Sequence, residues 1–106
     1  MVIDDTMTQE IVGRVVGVTA PERIILFGSA AAGEMTGDSD VDLLVVVPHA
    51  SNAREESVRI GNALRGLGFP FDVIVMAAER FEETKNVIGG VAYPVNKYGK
   101  VIYEAA

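Results

Sequence analysis

Hydrophobic and polar positions along the chain fall into blocks whose period switches between that of a helix and that of a strand. Thr6-Met7-Thr8-Gln9 has the spacing of a capping box, and Ile11, Val12, Val15 and Val16 follow as i,i+4 pairs, so a first helix is predicted through Val16. Gly13, Gly17 and the β-branched residues weaken it. After Pro21 the apolar run RIILF, residues 23–27, closed by Gly28, predicts a short buried strand. Ala30, Ala31 and Ala32 predict a short helix with Ser29 near its N-cap, and residues 33–39 read as a polar turn. DVDLLVVV, residues 40–47, carries the strongest strand pattern, and Pro48 stops it.

The second half repeats this alternation. Asn52-Ala53-Arg54-Glu55 resembles a capping box, and Ile60, Ala63, Leu64 and Leu67 lie at i, i+3, i+4 and i+7 with Gly68 at the expected C′ position. FDVIVM, residues 71–76, predicts a third strand, and a helical stretch is expected over residues 79–85. Gly89, Gly90 and Pro94 interrupt the pattern, leaving a short helix over residues 94–98 with Pro94 near N1 and Gly99 as its cap. KVIYE, residues 100–104, alternates like an edge strand. Helix-length connections between strands predict an α+β fold: a mixed, mostly four-stranded sheet flanked by helices. No internal repeat or linker divides the chain, so residues 1–106 are expected to form a single domain.

Composition narrows the chemistry. A chain of 106 residues with 49% hydrophobic content supports one core. The absence of Cys excludes disulfide scaffolds, zinc knuckles and thiol nucleophiles, which leaves hard oxygen ligands for any metal. The net charge is −6 and the nine cations are scattered, so no electrostatic footprint for duplex DNA or an anionic membrane is present. The acidic N-terminus and the lack of a long apolar run predict a cytoplasmic protein.

Alternation along a strand places Asp40, Asp42, Leu44 and Val46 on one face, and Asp72, Ile74 and Met76 on one face of the third strand. If those strands are neighbours, three carboxylates converge. Converging acids raise one another's pKa unless a cation lies between them, which points to Mg²⁺ or a comparable hard ion. Solvated positions at a strand's mouth explain Asp40 and Asp42 equally well on spacing alone, and an edge position explains Asp72. Gly28-Ser29, at a strand end before a helix, offers backbone N–H groups and a hydroxyl to a phosphate, but an ordinary turn has the same sequence. Two other motifs fail at chemically necessary positions. Asp38-x-Asp40-x-Asp42 starts like an EF-hand loop, yet Leu43 replaces the turn glycine and His49 the bidentate Glu. Residues 28–33 have the glycine spacing of a P-loop, but Glu34-Met35 stand where Lys and Ser/Thr are required.

Leu26-Phe27-Gly28-Ser29, ten residues, then Asp40-Val41-Asp42-Leu43 resembles the G-S-x10-D-x-D signature of the nucleotidyltransferase superfamily typified by DNA polymerase β, and most closely its minimal nucleotidyltransferases. Asp72 in FDVIVM matches the family's third acid, and Glu79-Arg80-Phe81 with the segment from Gly99 to Glu104 resembles its usual tail. The resemblance implies the polymerase β-like fold and transfer of a nucleoside monophosphate from ATP or another NTP to an acceptor hydroxyl. By position it implies that Asp40 and Asp42 hold two Mg²⁺ ions, that Asp72 ligates the catalytic one and helps deprotonate the acceptor, and that Gly28 and Ser29 hold the terminal phosphates. One departure stands out: the family's turn commonly reads G-S-R-A-R-G, whereas residues 28–33 read GSAAAG, so two cations that would steady a triphosphate are missing.

A chain of this size lacks room for an acceptor-recognition domain, so the acceptor is expected to be small or supplied by a partner. Similar minimal proteins are often antitoxins of HEPN-type toxins, some modifying a toxin tyrosine with AMP, and that is the leading expectation. A stoichiometric binding module without transfer, and a nucleotide- or metal-sensing domain, are the alternatives. His49 reads as a solvated loop residue, Tyr93, Tyr98 and Tyr103 as packing residues, and the edge of residues 100–104 as a surface on which an oligomer could form.

Overall fold

The computed structural model describes residues 3–35 and 39–106. Nine elements follow in the order α1 (Asp5–Val16), β1 (Arg23–Phe27), α2 (Ser29–Ala32), β2 (Val41–Val47), α3 (Ala53–Ala63), β3 (Phe71–Ala77), α4 (Ala78–Thr84), α5 (Ala92–Tyr98) and β4 (Lys100–Glu104). The sheet order is β3-β2-β1-β4, with β2 and β3 parallel and the other pairs antiparallel. The expected mixed four-stranded sheet is therefore present, with β4 at one edge and β3 at the other. The middle of the expected polar turn, residues 36–38, lies outside the described residues.

Both faces of the sheet are covered, and this explains why β2 reads as an almost unbroken apolar run. On one face Ile24, Leu26, Val41, Leu43, Val45 and Val47 pack against Ile11 and Val15 of α1 and Ile60 of α3. On the other, Ile25, Leu44, Val46 and Met76 pack against Phe81 of α4 and Ala92 and Val95 of α5. Among the described residues no helix is long and apolar enough to cross a membrane.

Several element ends differ from expectation. The cap of α1 is Asp4, whose carboxylate accepts the Met7 N–H at 2.8 Å, so Thr6 is a helical residue and not the cap. A carboxylate at this place also interacts favourably with the helix dipole. Ser29 is the first residue of α2 and Gly28 its cap, with no side-chain capping bond. The Asn52 cap is confirmed, its side chain accepting the Glu55 N–H at 3.1 Å, but α3 ends at Ala63, before Leu67 and Gly68. Gly66, with a φ of 90°, turns the chain out of the helix, and Arg14 caps the end: its Nη1 donates to the carbonyls of Ala63 at 3.2 Å and Arg65 at 2.8 Å, acceptors that a longer helix would use internally. α5 begins two residues before Pro94, which still lies in the first turn, where its missing N–H leaves no bond unmade.

Gly99 ends α5 as expected, though for an unexpected reason. Its φ is −75° and its ψ 165°, extended backbone open to any residue. A Cβ there would run into the Val95 carbonyl oxygen and lie 2.7 Å from Cγ2 of Ile25, so glycine is required both by the helix's own last turn and by close packing of α5's end on β1. Gly61, in the last turn of α3, has no atom within 4 Å of such a Cβ. Gly99→Ala is therefore expected to destabilise by about 1–3 kcal/mol through overpacking, and Gly61→Ala to stabilise by up to about 1 kcal/mol through helix propensity. Urea unfolding of the two variants beside the parent checks both signs.

Candidate functional site

The antiparallel β1–β2 pair and the parallel β2–β3 pair bring three chain segments to one end of the sheet. Phe27 is opposite Asp42, and Asp42 is in register with Asp72. Both acids are on the face that carries Leu44, Val46, Ile74 and Met76, where they occupy the end that α4 and α5 leave uncovered. Asp72 is exposed, Asp42 half-buried, and Asp40 exposed just before β2. The structure thus brings Asp42 and Asp72 side by side as the alternation argument requires, with Asp40 near the same strand mouth.

Gly28 is joined to these acids by direct contact. Its φ of 69° and ψ of −148° lie where a side chain is strained, and a Cβ on it would collide with Oδ2 of Asp42. The carboxylate rests against the backbone of the turn. α2 follows at once: the Ala32 N–H reaches the Gly28 carbonyl at 3.2 Å, and Gly33 closes the helix in the left-handed conformation, φ 71°. The first amides of α2 and the Ser29 hydroxyl consequently stand at the same strand end as the Asp42 carboxylate.

This crowding has an electrostatic signature. Burial pushes the Asp42 carboxyl above its ordinary pKa, and the charges of Asp72 and then Asp40 push it further in the same direction. No cation is among the groups that perturb it. Yet among the described residues no three acidic, His or Cys side chains are gathered closely enough to form a ready metal cluster. The two facts are compatible, because charges act on one another over about 8–10 Å, whereas oxygens bound to one Mg²⁺ must each approach a common point to about 2.1 Å. An all-oxygen, mutually repelling donor set suits a hard divalent cation. The arrangement is an open set of flanking carboxylates and not a closed shell.

Other surface features lie apart. A depression of about 450 Å³ runs along the exposed side of α3 between Asn52 and Asn62 and is lined by that segment alone. His49 is exposed in a loop as expected. Of the tyrosines expected to pack, Tyr103 packs against the larger core and Tyr93 is half-buried, but Tyr98 is 70% exposed. Sequence reasoning also missed the company that Lys97 keeps: its Nζ donates to the Tyr93 hydroxyl at 3.3 Å and lies 5.6 and 5.4 Å from the ring centres of Tyr93 and Tyr98. The i,i+4 spacing of Tyr93 and Lys97 in a short helix was the available signal.

The raised Asp42 pKa has a stability consequence of definite sign. Between its unfolded and folded pKa values the native state binds the extra proton, so stability falls as pH rises through the folded value and the full penalty applies above it. Asp42→Asn removes that penalty without changing the side chain's shape. Its melting temperature is expected to exceed that of the parent at pH 7, with the difference shrinking as pH is lowered toward the ordinary carboxylate range, a trend that calorimetric scans over pH would read.

Comparison with known proteins agrees with this geometry. The sequence profile of the nucleotidyltransferase domain matches residues 9–92. No curated protein sequence matches significantly. Among solved structures, the crystal structure of a toxin-antitoxin with AMP-PNP is similar at a TM-score of 0.73 and 18% identity, over 92% of this chain and 73% of that one. A protein from Sulfolobus solfataricus assigned as a nucleotidyltransferase is similar at a TM-score of 0.61 and 20% identity, over 93% and 78% of the respective chains. At these identities the likeness is one of fold, and it is the profile match, spanning β1, Gly28-Ser29, Asp40, Asp42 and Asp72, that establishes membership: the chain belongs to the nucleotidyltransferase domain family.

Proposed function

We propose that residues 1–106 form a single minimal nucleotidyltransferase domain that moves AMP from ATP onto an acceptor hydroxyl of a partner protein, a HEPN-type toxin, and so acts as an antitoxin in the cytoplasm. The observation that carries this reading is the Asp42 carboxylate seated on the backbone of Gly28 with Asp72 in register beside it. On this reading the contact would hold phosphate-facing amides and metal-ligating oxygens at one point of the sheet.

Asp40 and Asp42 would hold two Mg²⁺ ions, with Asp72 completing the site of the catalytic one. When bound, such ions supply charge neutralisation for the attacking and leaving oxygens of an in-line displacement. The remaining work falls to the chain. Amides at the start of α2 and the Ser29 hydroxyl hold the terminal phosphates, and Gly28 lets the backbone approach them closely. Asp72, exposed at the sheet edge, accepts the proton of the acceptor hydroxyl as its oxygen bonds to the α-phosphorus. The bond from that phosphorus to the bridging oxygen breaks, and pyrophosphate leaves with the electron pair. The AMP-PNP of the toxin-antitoxin structure similar in fold supports the choice of ATP and of a protein partner.

A second reading is favoured by the turn itself. Residues 30–32 are all alanine, so the domain would neutralise its partner by stoichiometric contact, with the acidic end of the sheet as docking surface. Two measurements separate the readings. Calorimetric titration of AMP-PNP with Mg²⁺ is expected to show binding by the parent and none by the double variant Asp40→Asn/Asp42→Asn. Intact-mass analysis of the toxin partner after incubation with Mg-ATP is expected to show one added AMP. An unchanged partner mass, together with neutralisation that survives Asp42→Asn, would overturn transfer in favour of contact.

A further inference from the structure

The proposed site has a fixed order across the sheet. It runs from the Gly28 turn at the end of β1, through Asp42 on β2, to Asp72 on β3, with neighbouring strands about 4.8 Å apart. An in-line displacement sets the entering oxygen on the side of the α-phosphorus away from the departing pyrophosphate. With the terminal phosphates on the Gly28 turn, the acceptor arrives from the Asp72 side, and β3 is the edge of the sheet.

The two edges are built differently. β4 pairs with β1 through a register shift between Ile24 and Ile25 and is bounded by the exposed charges of Lys100 and Glu104, features that discourage a further strand. β3 pairs with β2 in unbroken register over Phe71–Ala77, and Asp72 is its only charge. The Val41 N–H donates to the Pro70 carbonyl at 2.8 Å, so along this parallel ladder Asp72 and Ile74 turn their backbone groups toward β2, and Phe71 and Val73 turn theirs outward. Among the described residues no strand pairs with that outward side. Exposure is greatest where the site is: Asp72 is exposed and Phe71, Val73 and Ile74 are half-buried, whereas Val75 and Met76, farther along, are buried.

We propose that the 71–74 stretch of β3 is the acceptor-docking surface of this domain, on which an extended segment of the partner protein adds as a fifth strand and carries its hydroxyl to Asp72. This rests on the transfer reaction proposed above. The outward backbone groups of Phe71 and Val73 supply the main-chain hydrogen bonds of such an addition, and alternate side chains of the segment meet different surfaces. On the face covered by α1 and α3 the segment meets Phe71 and Val73, which suit apolar side chains. On the other face it meets Asp72 and Ile74. In an antiparallel addition the residue opposite Asp72 belongs to a pair without mutual backbone bonds, the closer kind, with Cα atoms about 4.5 Å apart. A serine or threonine hydroxyl there stands beside the carboxylate, and a tyrosine reaches it from the diagonal position two residues along. Like charges placed opposite one another are unfavourable, so the segment carries no acid next to its hydroxyl.

The test uses the intact partner protein and the variant Val73→Pro, which removes an outward N–H and leaves the bonds to β2 in place, with circular dichroism and melting curves to establish its fold. Calorimetric titration of AMP-PNP with Mg²⁺ is expected to give the same affinity in parent and variant. Intact-mass measurement of AMP addition at graded partner concentrations is expected to show the KM for the partner raised about tenfold in Val73→Pro, with kcat close to the parent's. Hydrogen exchange on the parent needs no variant: the Phe71 and Val73 amides are expected to gain protection when the partner binds, and those of β4 to stay as they were. An unchanged KM in a folded Val73→Pro, or Phe71 and Val73 amides that exchange equally with and without bound partner, would overturn docking at this edge and leave the nucleotide site and the transfer standing. Protection of those amides in the isolated parent that disappears on dilution would give the edge to a second copy of this chain and overturn the proposal as well. Protection by the partner with no change in the partner's mass would support the docking surface and overturn the transfer.

Discussion

The contact between the Asp42 carboxylate and the backbone of Gly28 is the constraint on which the geometry of this end of the molecule depends. It requires β1 and β2 to pair antiparallel with Phe27 opposite Asp42, it requires the residue leaving β1 to lack a Cβ, and it fixes where α2 begins. A side chain at position 28 would meet two objections at once, a strained φ and an occupied space. The strand end, the helix start and the carboxylate are thus positioned by one another.

The contact is held in place by a strand that carries none of the solvated character its acids suggest. β2 is buried on both faces from Leu43 onward, between α1 and α3 on one side and α4 and α5 on the other. Its register cannot slip by one residue without exchanging the two apolar faces. That rigidity extends to Asp42, whose carboxyl is half-buried and pressed by two like charges, an arrangement that works against folding at neutral pH. Packing along the rest of β2 offsets it. A stable scaffold supporting a locally unfavourable charge set is what a cation-binding site needs before the cation arrives.

Strand positions were legible in the sequence because each is a short apolar run bounded by Gly or Pro, and β1 is Arg23–Phe27 as its pattern predicts. The neighbouring acids were legible too, since a period of two is enough to place Asp42 and, given parallel neighbours, Asp72. Helix ends were less so. α3 ends before Leu67 because Gly66 leaves the helix in the left-handed region, a nearer glycine than the Gly68 the pattern favours, and the freed carbonyl of Ala63 is satisfied by Arg14, 49 residues away, a bond no local pattern encodes. Gly99 has the identity of a cap glycine without its backbone conformation; what demands it is the Val95 carbonyl oxygen one turn back together with Ile25, a distant residue whose approach appears only once α5 is laid on β1. The packing assigned to Tyr98 failed for a related reason: an aromatic residue in a seven-residue helix has few core-facing positions available, and Ala92 and Val95 occupy them.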